Sequence, residues 1–457
     1  MLKSLRIKNF KAWKDTGEIR LAPLTVIFGA NSAGKSSIGH LIQALKQTAV
    51  STDRFRALHT GDQNSPVDLG TFEDCLHNHD LKNPLEFALK WDLPENIEVS
   101  DKLQKFKFQG NTLLLNSSIE ADSKRQPQTK SVRYFLTNDK NEKLEAKFYK
   151  EAKQFQLELS DNYELAKEPG RPWPLEVPEK FYRISEKSLA RYKNASFLTD
   201  FALATESFLS GIFFLGPLRE SPKRVYGWAG DTPPDVGPNG ARSIQAILAA
   251  DMTNRKLQRP KKRGYDLFQT FIANWLKDLK IIDSFTVAPV AEGRKEYEVL
   301  LRVTENSPEV KLTDVGFGVS QVLPALVEAF YAPPGSTVWM EQPEIHLHPQ
   351  VQAELANAFA CAIKASENGK PRNTQLIIES HSEHLLNRLQ LLLAQNVLKP
   401  EDVAIYFCTT GSDGAKLEYL EIDAFGEISN WPQNFFGDQM ADIAGRTLAA
   451  IKRNGGK

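Results

Sequence analysis

The sequence predicts an α/β fold: a mostly parallel sheet flanked by helices, plus an antiparallel β-rich lobe and a helical insertion. Three observations carry that expectation. Beyond about residue 281, short apolar runs alternate with helically spaced ones, as in a parallel sheet covered on both faces. From about 82 to 170, short β-type runs are broken by Asn, Asp, Gly and Lys, as in an antiparallel sheet with one wet face. Residues 1–50 read strand, strand, loop, helix.

Taken in order, LKSLRIKNF alternates at period two, LTVIF is a short buried strand, and SSIGHLIQALKQT has helical spacing. The runs FALKWDL, KFKFQG, TLLLNSSIEA, VRYFLT, LEAKFYKEA and FQLELS are the lobe's strands, and the Pro-rich stretch 167–180 is a connector. Residues 183–210 and 242–280 look helical, and the Pro/Gly-rich loop between them, 227–240, is expected to be mobile. DSFTVAPV and YEVLLRV then read as strands. VSQVLPALVEAF reads as a helix, with Pro324 expected near its first turn, where a missing N–H costs little. TVWM and QLIIES are strands, each followed by a helix. LTVIF needs a sheet to sit in, so the N-terminal strand–loop–helix is expected to join this αβ part. The implied division is 1–80 and 211–457 as two parts of one domain, with 81–210 inserted and a helical insertion at about 242–280.

Composition narrows the function. At 457 residues the chain has room for more than one lobe of ~100–200 residues. Formal net charge is zero, so no overall basic field draws the chain onto nucleic acid. The cysteines, Cys75, Cys361 and Cys408, are too scattered for a disulfide framework or a zinc pattern, which suits a reducing cytoplasmic setting. The start lacks a signal-peptide apolar run. The longest apolar stretch, Phe208–Leu218, falls short of the ~20 residues of a spanning helix, so no membrane anchor is expected.

Chemistry enters at Gly29-Ala30-Asn31-Ser32-Ala33-Gly34-Lys35-Ser36, which fits the phosphate-loop pattern G-x-x-x-x-G-K-[ST] between a strand and a helix. Glycines let backbone N–H groups converge on phosphate oxygens, and the helix N-terminus adds positive potential. Lys35 would reach the β- and γ-phosphates, and the Ser36 hydroxyl would ligate Mg²⁺. An ordinary Gly-rich turn is the alternative, which the strand-to-helix context disfavours. Glu341 ends an apolar strand and opens Glu341-Gln342-Pro343-Glu344. A carboxylate there points into the ligand crevice of a parallel sheet, placing Glu341 to hold the Mg²⁺ shell; alone it would read as a surface acidic turn. His346 and His348 lack the further ligands a zinc site needs. His381, one strand later, could meet a γ-phosphate or an attacking water, although such a histidine is more often a helix cap or a surface residue.

The order of phosphate loop, V-G-F-G-V-S-Q (315–321), WMEQPEIHLHP (339–349) and ESHSEHLL (379–386) resembles the ABC-type ATPases of the SMC/RecF/OLD group, a kind of AAA-type ATPase. LRIKNFKAW resembles that group's first strand, and FLGPLRE (214–220) and WPQNFFGD (431–438) resemble its compact bacterial branch. The ATPase subunits of Septu-type and PARIS-type anti-phage systems are similar in size and plan. This resemblance implies that Gly29–Ser37, with Ser37 included, is the Walker A loop binding ATP with Mg²⁺. It puts Glu341 at the Walker B acid, His381 at the switch histidine, Leu347-His348-Pro349 at the D-loop and Val315–Val319 at the signature. Backbone amides of Gly316, Gly318 and Ser320 would then meet the γ-phosphate held by a neighbour, which implies a head-to-tail homodimer or a higher homo-oligomer. The Q-loop is expected within 67–80.

Two departures from the family pattern bear on turnover. Gly316 replaces the signature serine, and Gln342 stands where the water-polarising glutamate is expected. An amide orients a water but cannot take its proton, so either Glu344 takes over or hydrolysis is slow. The resemblance implies an ATPase subunit gating a separate HNH-type or TOPRIM-type nuclease, with a RecF-like repair clamp as the alternative. A self-contained OLD-type nuclease is disfavoured, because only about 70 residues follow the switch region. The chain has no heptad run for a coiled-coil arm. DNA contact would fall on the basic run Arg255–Arg263 or, secondarily, on Lys102, Lys105 and Lys107; either could equally be solvated loop.

Overall fold

The fold is taken from a computed structural model that describes residues 1–101, 104–152, 154–160, 162–171, 173–411 and 414–432. Two of the sequence expectations, Lys102 and the 433–438 part of the closing motif, lie outside the described residues.

A six-stranded sheet forms the centre. Its order is Ile212–Leu215, Thr337–Glu341, Gln375–Glu379, Leu24–Gly29, Val403–Gly411 and Gly414–Leu420. All neighbours run parallel except the last pair. The Leu24–Gly29, Thr337–Glu341 and Gln375–Glu379 strands are buried throughout, as expected for strands covered on both faces. Period-two alternation divides their side chains between two cores. Val26, Phe28, Met340 and Ile378 face one, with the Phe317–Tyr331, Pro349–Ala362 and Glu383–Ala394 helices. Ile27, Trp339 and Ile377 face the other, with the Lys35–Val50 helix.

The second sheet is antiparallel and eight-stranded, running from Trp13–Asp15 and Leu2–Phe10 through Leu85–Asp101, Phe106–Ala121, Pro127–Thr137 and Lys143–Glu151 to Gln154–Leu159, with Ile19–Arg20 also paired to Leu2–Phe10. The N-terminal segment is thereby split. LTVIF and the helix after it join the parallel sheet as expected, whereas the Leu2–Phe10 strand joins the antiparallel one. The reason is its pattern: Leu5 and Ile7 are buried while Arg6 and Lys8 are not, and a strand with one wet face suits an antiparallel sheet. Leu5, Ile7 and Trp13 then share a core with Ile38 and Leu41 of the Lys35–Val50 helix.

Three other local expectations are corrected. The 242–280 stretch is two helices, Ser243–Met252 and Phe268–Asp278, separated by the short strands Lys256–Gln258 and Asp266–Leu267. Pro260 and Gly264 break the helical run between them. Pro324 sits well inside the Phe317–Tyr331 helix, not near its first turn, because that helix starts earlier than its apolar spacing suggests. The 227–240 loop is pinned. The Val236 N–H donates to Glu328 Oε2 at 2.9 Å, the Tyr331 hydroxyl to the Pro233 carbonyl at 2.7 Å, and the Gly216 N–H to the Pro238 carbonyl at 2.7 Å. Glu328 is wholly buried, and burial pushes its carboxyl up to about 8, so the loop is anchored to an interior group that Gly/Pro content does not reveal. Among the described residues, no helix is long and apolar enough to cross a membrane.

Candidate functional site

The phosphate-loop segment turns at the carboxyl end of the Leu24–Gly29 strand. Gly29 has φ +146°, and a Cβ there would lie 2.2 Å from the Cys408 carbonyl oxygen, so the position admits glycine alone. Gly34, at φ +98°, directly precedes the Lys35–Val50 helix. The loop is braced from both sides. The Trp13 indole donates to the Gly34 carbonyl at 3.1 Å and to Ser37 Oγ at 3.0 Å, and Cys408 Sγ donates to the Ala33 carbonyl at 2.9 Å. Asn31 and Ser32 are exposed at the tip, with Ser32 in the left-handed region at φ +61°. Lys35 is buried and folded back into its own loop, donating to the Gly29 and Ala30 carbonyls at 2.8 Å each.

Two carboxyl groups meet beside Ser36. Glu341 and Glu379 end adjacent parallel strands in register. The Ser36 hydroxyl donates to Glu379 Oε2 at 2.7 Å, and the Trp339 indole donates to Glu379 Oε1 at 2.8 Å. Trp339 is itself held by the Lys35–Val50 helix, where a Cβ on Gly39 would lie 2.7 Å from the indole ring. Burial first, and the Glu341 charge second, push the Glu379 carboxyl up to about 8. Burial also raises Glu341, opposed by Ser36 and by the Arg219 guanidinium. His40 Nε2 lies 3.7 Å from Glu341 Oε1.

Beyond them lie Glu344, His381 and Arg219. Glu344 Oε1 accepts from Ser380 Oγ and from the His381 N–H, both at 2.8 Å. Burial, and then the nearby Lys35 charge, lower the pKa of His381. Arg219 Nη2 reaches the Glu341 carbonyl at 3.4 Å, and burial lowers its guanidinium to about 10 despite the neighbouring Glu341 and Glu344. Four buried atoms in this one place have no hydrogen-bond partner among the described residues: Arg219 Nε and Nη1, Glu344 Oε2 and His381 Nε2. Buried polar atoms are normally satisfied, so such a cluster marks a place made for a polar ligand. Two cations, a serine hydroxyl and paired carboxyls are the chemistry that a phosphate chain with Mg²⁺ requires, and the residues fit such a group.

Gln342 follows at φ +45°, an uncommon conformation for a non-glycine residue, and its N–H donates to the Glu379 carbonyl at 2.8 Å. Gly316 is exposed at the N-terminus of the Phe317–Tyr331 helix, with no side-chain cap and nothing within 4 Å of where its Cβ would be. For Gly318 the nearest atom is Leu347 Cδ2, at 3.9 Å. The first amides of a helix have no partner within it, so this end offers donors outward, whereas Ser320 lies buried a turn further in. His348 caps the Pro349–Ala362 helix by accepting from the Gln350 N–H at 3.3 Å.

Sequence reading passed over Glu379, Arg219 and Trp339. Glu379 ends its strand just as Glu341 does, and that parallel was the available signal. For Arg219 no signal beyond the FLGPLRE run existed, because its burial comes from tertiary packing. The basic run is corrected in part. Arg255 is tied to Glu367 at 2.8 and 3.0 Å and to the Tyr331 carbonyl at 2.9 Å. Arg259 lies 4.0 Å over the Trp275 ring and pairs with Asp278. Both arginines hold the helical insertion together, which leaves only the lysines and Arg263 for an outside partner.

A family model described as "AAA domain, putative AbiEii toxin, Type IV TA system" matches residues 24–387, a span that includes the loop, Arg219, Glu341, Glu344, Glu379 and His381 but not the bracing Trp13 and Cys408. A second, described as a protein of unknown function (DUF3696), matches residues 398–445. No match was found among curated proteins. Similar solved structures include an SMC head bound to the C-winged helix domain of ScpA, at 12% identity over 92% of this chain and 97% of that one, with TM-score 0.41. The SMC head domain from Thermotoga maritima matches at 12% identity over 92% and 99%, with TM-score 0.39. An SMC head with an extended coiled coil, bound to a ScpA C-terminal domain derived from Pyrococcus furiosus, matches at 11% over 99% of both, with TM-score 0.38. At TM-scores below 0.5, these likenesses say nothing of this chain's partners or activity.

The raised Glu379 carboxyl makes stability pH-dependent. An unfolded glutamate loses its proton near 4.5 and the folded one near 8, so the folded state binds more protons between them and stability falls as pH rises through that window. Glu379→Gln keeps contacts to Trp339 and Ser36 but has no proton to lose. Denaturant unfolding of the nucleotide-free protein from about pH 5 to pH 8 should show a flatter loss for the variant, by up to one proton's worth; identical slopes would refute the assignment.

Proposed function

This chain belongs to that AAA-domain family and carries an AAA-type ATPase domain; from that premise we propose that it is an ABC-type ATPase subunit, slow in turnover, which works as a head-to-tail pair and gates a separate nuclease in cytoplasmic anti-phage defence. The observation that carries the ATPase reading is the gathering of Ser36, paired carboxyls and four unpartnered polar atoms around one phosphate loop. In this reading the Gly29–Ser37 backbone cradles the phosphates, and Lys35 leaves the Gly29 and Ala30 carbonyls to meet them. Ser36 and Glu341 would hold Mg²⁺, with Glu379 behind them. The ion, when bound, offsets phosphate charge. Arg219 places a fixed cation beside the terminal phosphate, and His381 accepts or donates one hydrogen bond there.

Proton removal is the weak step. Gln342 orients a water without accepting its proton. Glu344 Oε1 holds Ser380 and the His381 backbone and so positions that segment, while its Oε2, unpartnered among the described residues, leaves Glu344 as the other candidate to take the proton. Gly316 and Gly318 would complete the neighbour's site, and the open space around them supports a partner there, whereas Ser320 is buried a turn behind them and takes no part in this reading. The defence reading rests on the likeness to Septu-type and PARIS-type subunits. The family's description, which names a putative AbiEii toxin of a Type IV TA system, is compatible with it.

Three outcomes test this. Light scattering should show ATP-dependent pairing of the native chain. Gly318→Asp, which sets a negative charge against the neighbour's phosphate in space that admits it, should bind ATP normally and stay monomeric; a native chain that binds ATP yet never pairs sinks the proposal. Gln342→Glu should raise steady-state ATP turnover by about 100-fold, the low end for a positioned general base, and an unchanged rate would point to Glu344 or another base. Affinity purification with ATP from the native host should recover an HNH-type or TOPRIM-type nuclease, and DNA cleavage by the isolated chain would contradict the gating role.

A further inference from the structure

The wet face of the antiparallel sheet carries a second cleft, unrelated to the phosphate loop, of about 320 Å³. That is within the ~300–1,000 Å³ of small-molecule sites. Strand register explains its shape. One row across the sheet runs Arg6, Ala88, Asn116, Arg133, Lys147, and the next runs Lys8, Glu86, Ser118, Ser131. In both rows the central positions on the Phe106–Ala121 strand are short polar side chains, while the long cations stand towards the sides. The sheet is therefore hollow between Arg6 and Lys8 on one flank and Arg133 and Lys147 on the other. Three strand spacings, about 14 Å, separate the Leu2–Phe10 strand from the strand bearing Arg133.

The floor is chemically unfinished. Ser118 is only 8% exposed, yet among the described residues its Oγ has no hydrogen-bond partner, and neither does Asn116 Oδ1. The lining holds four cations against one carboxylate, Glu86. The pairs those cations make, Arg6 with Asp15, Lys8 with Glu86, Arg133 with Glu145 and Lys147 with Glu158, are solvent-exposed. Three of these are single exposed contacts, which are weak, so a ligand anion can replace them at little cost; Arg6 grips Asp15 with two hydrogen bonds, at 2.7 and 3.0 Å, and is held more firmly. We propose that this cleft binds a phosphate-bearing ligand of mononucleotide size, its phosphate taken by Arg133 and Lys147 or by Arg6 and Lys8 and its polar body by Ser118 and Asn116. A free nucleotide and the 5′-phosphorylated end of a nucleic acid share that chemistry.

The test uses the full chain carrying Lys35→Ala, so that the phosphate loop does not contribute. AMP and a short 5′-phosphorylated oligothymidylate are titrated calorimetrically. At least one should bind saturably, and binding should weaken as salt rises. Stronger AMP binding identifies a free nucleotide as the ligand, and stronger oligonucleotide binding identifies a nucleic-acid end. Arg133→Gln and Ser118→Ala should each weaken binding by about tenfold, as loss of a charge-assisted or buried hydrogen bond predicts. Both should leave the thermal midpoint essentially unmoved, since one breaks an exposed pair and the other removes an unpartnered hydroxyl. No saturable binding of either probe, or binding untouched by both substitutions, overturns the proposal. Loss of binding on Lys35→Ala alone would return the ligand to the phosphate loop and overturn it equally.

Discussion

A single buried carboxyl joins the parts of this molecule that must act together. Glu379 accepts from Ser36 on the helix that follows the phosphate loop and from Trp339 on the neighbouring strand, while its own strand lies between the phosphate-loop strand and the one ending in Glu341. Burying a carboxyl without partners is costly, so the sheet, the indole and the helix are each constrained by the need to satisfy it. Trp339 transmits the constraint, because Gly39 brings the helix onto its ring with no room for a side chain. Residues from three separated stretches of sequence are thereby held at the carboxyl end of the sheet.

The same logic extends to the signature segment. Its helix carries Glu328, wholly buried, and that carboxyl fixes the 227–240 loop through Val236. Lys46, at the far end of the phosphate-loop helix, donates to the Ile212 carbonyl and lies 4.8 Å over the Phe213 ring. Glu328 contributes to the charge environment of Lys46, opposing the burial that lowers the lysine's pKa. The loop is thereby tied to the Phe317–Tyr331 helix through Val236 and Pro233.

The antiparallel lobe follows a different rule. Its buried face packs on the Lys35–Val50 helix through residues such as Leu5 and Trp13, and Trp13 reaches past that contact to hydrogen-bond the phosphate loop. Its wet face is free to vary, and there register alone sets long cations around short polar residues. One sheet thus braces the Gly29–Ser37 loop on one side and carries a cation-lined cleft on the other. The two faces are chemically independent because strand side chains alternate.

How much of this was legible depended on whether the information was local. The glycine pattern of the phosphate loop, the apolar strand ending in Glu341 and the alternation of LKSLRIKNF are short-range, and they determined where a strand, a turn and a helix start and what chemistry the turn carries. Even there, the alternation of LKSLRIKNF did not say which sheet the strand joins, because the partner strand beginning at Leu85 is distant in sequence. Proximity across the fold was not local. That Glu379 meets Ser36, that Arg219 is buried beside two carboxyls, that Arg255 and Arg259 serve the interior, and that a Pro/Gly-rich loop is anchored by Glu328 all depend on segments tens to hundreds of residues apart. Those facts belong to tertiary packing, because burial and hydrogen-bond partnership are properties of the assembled interior and no window of sequence contains both partners.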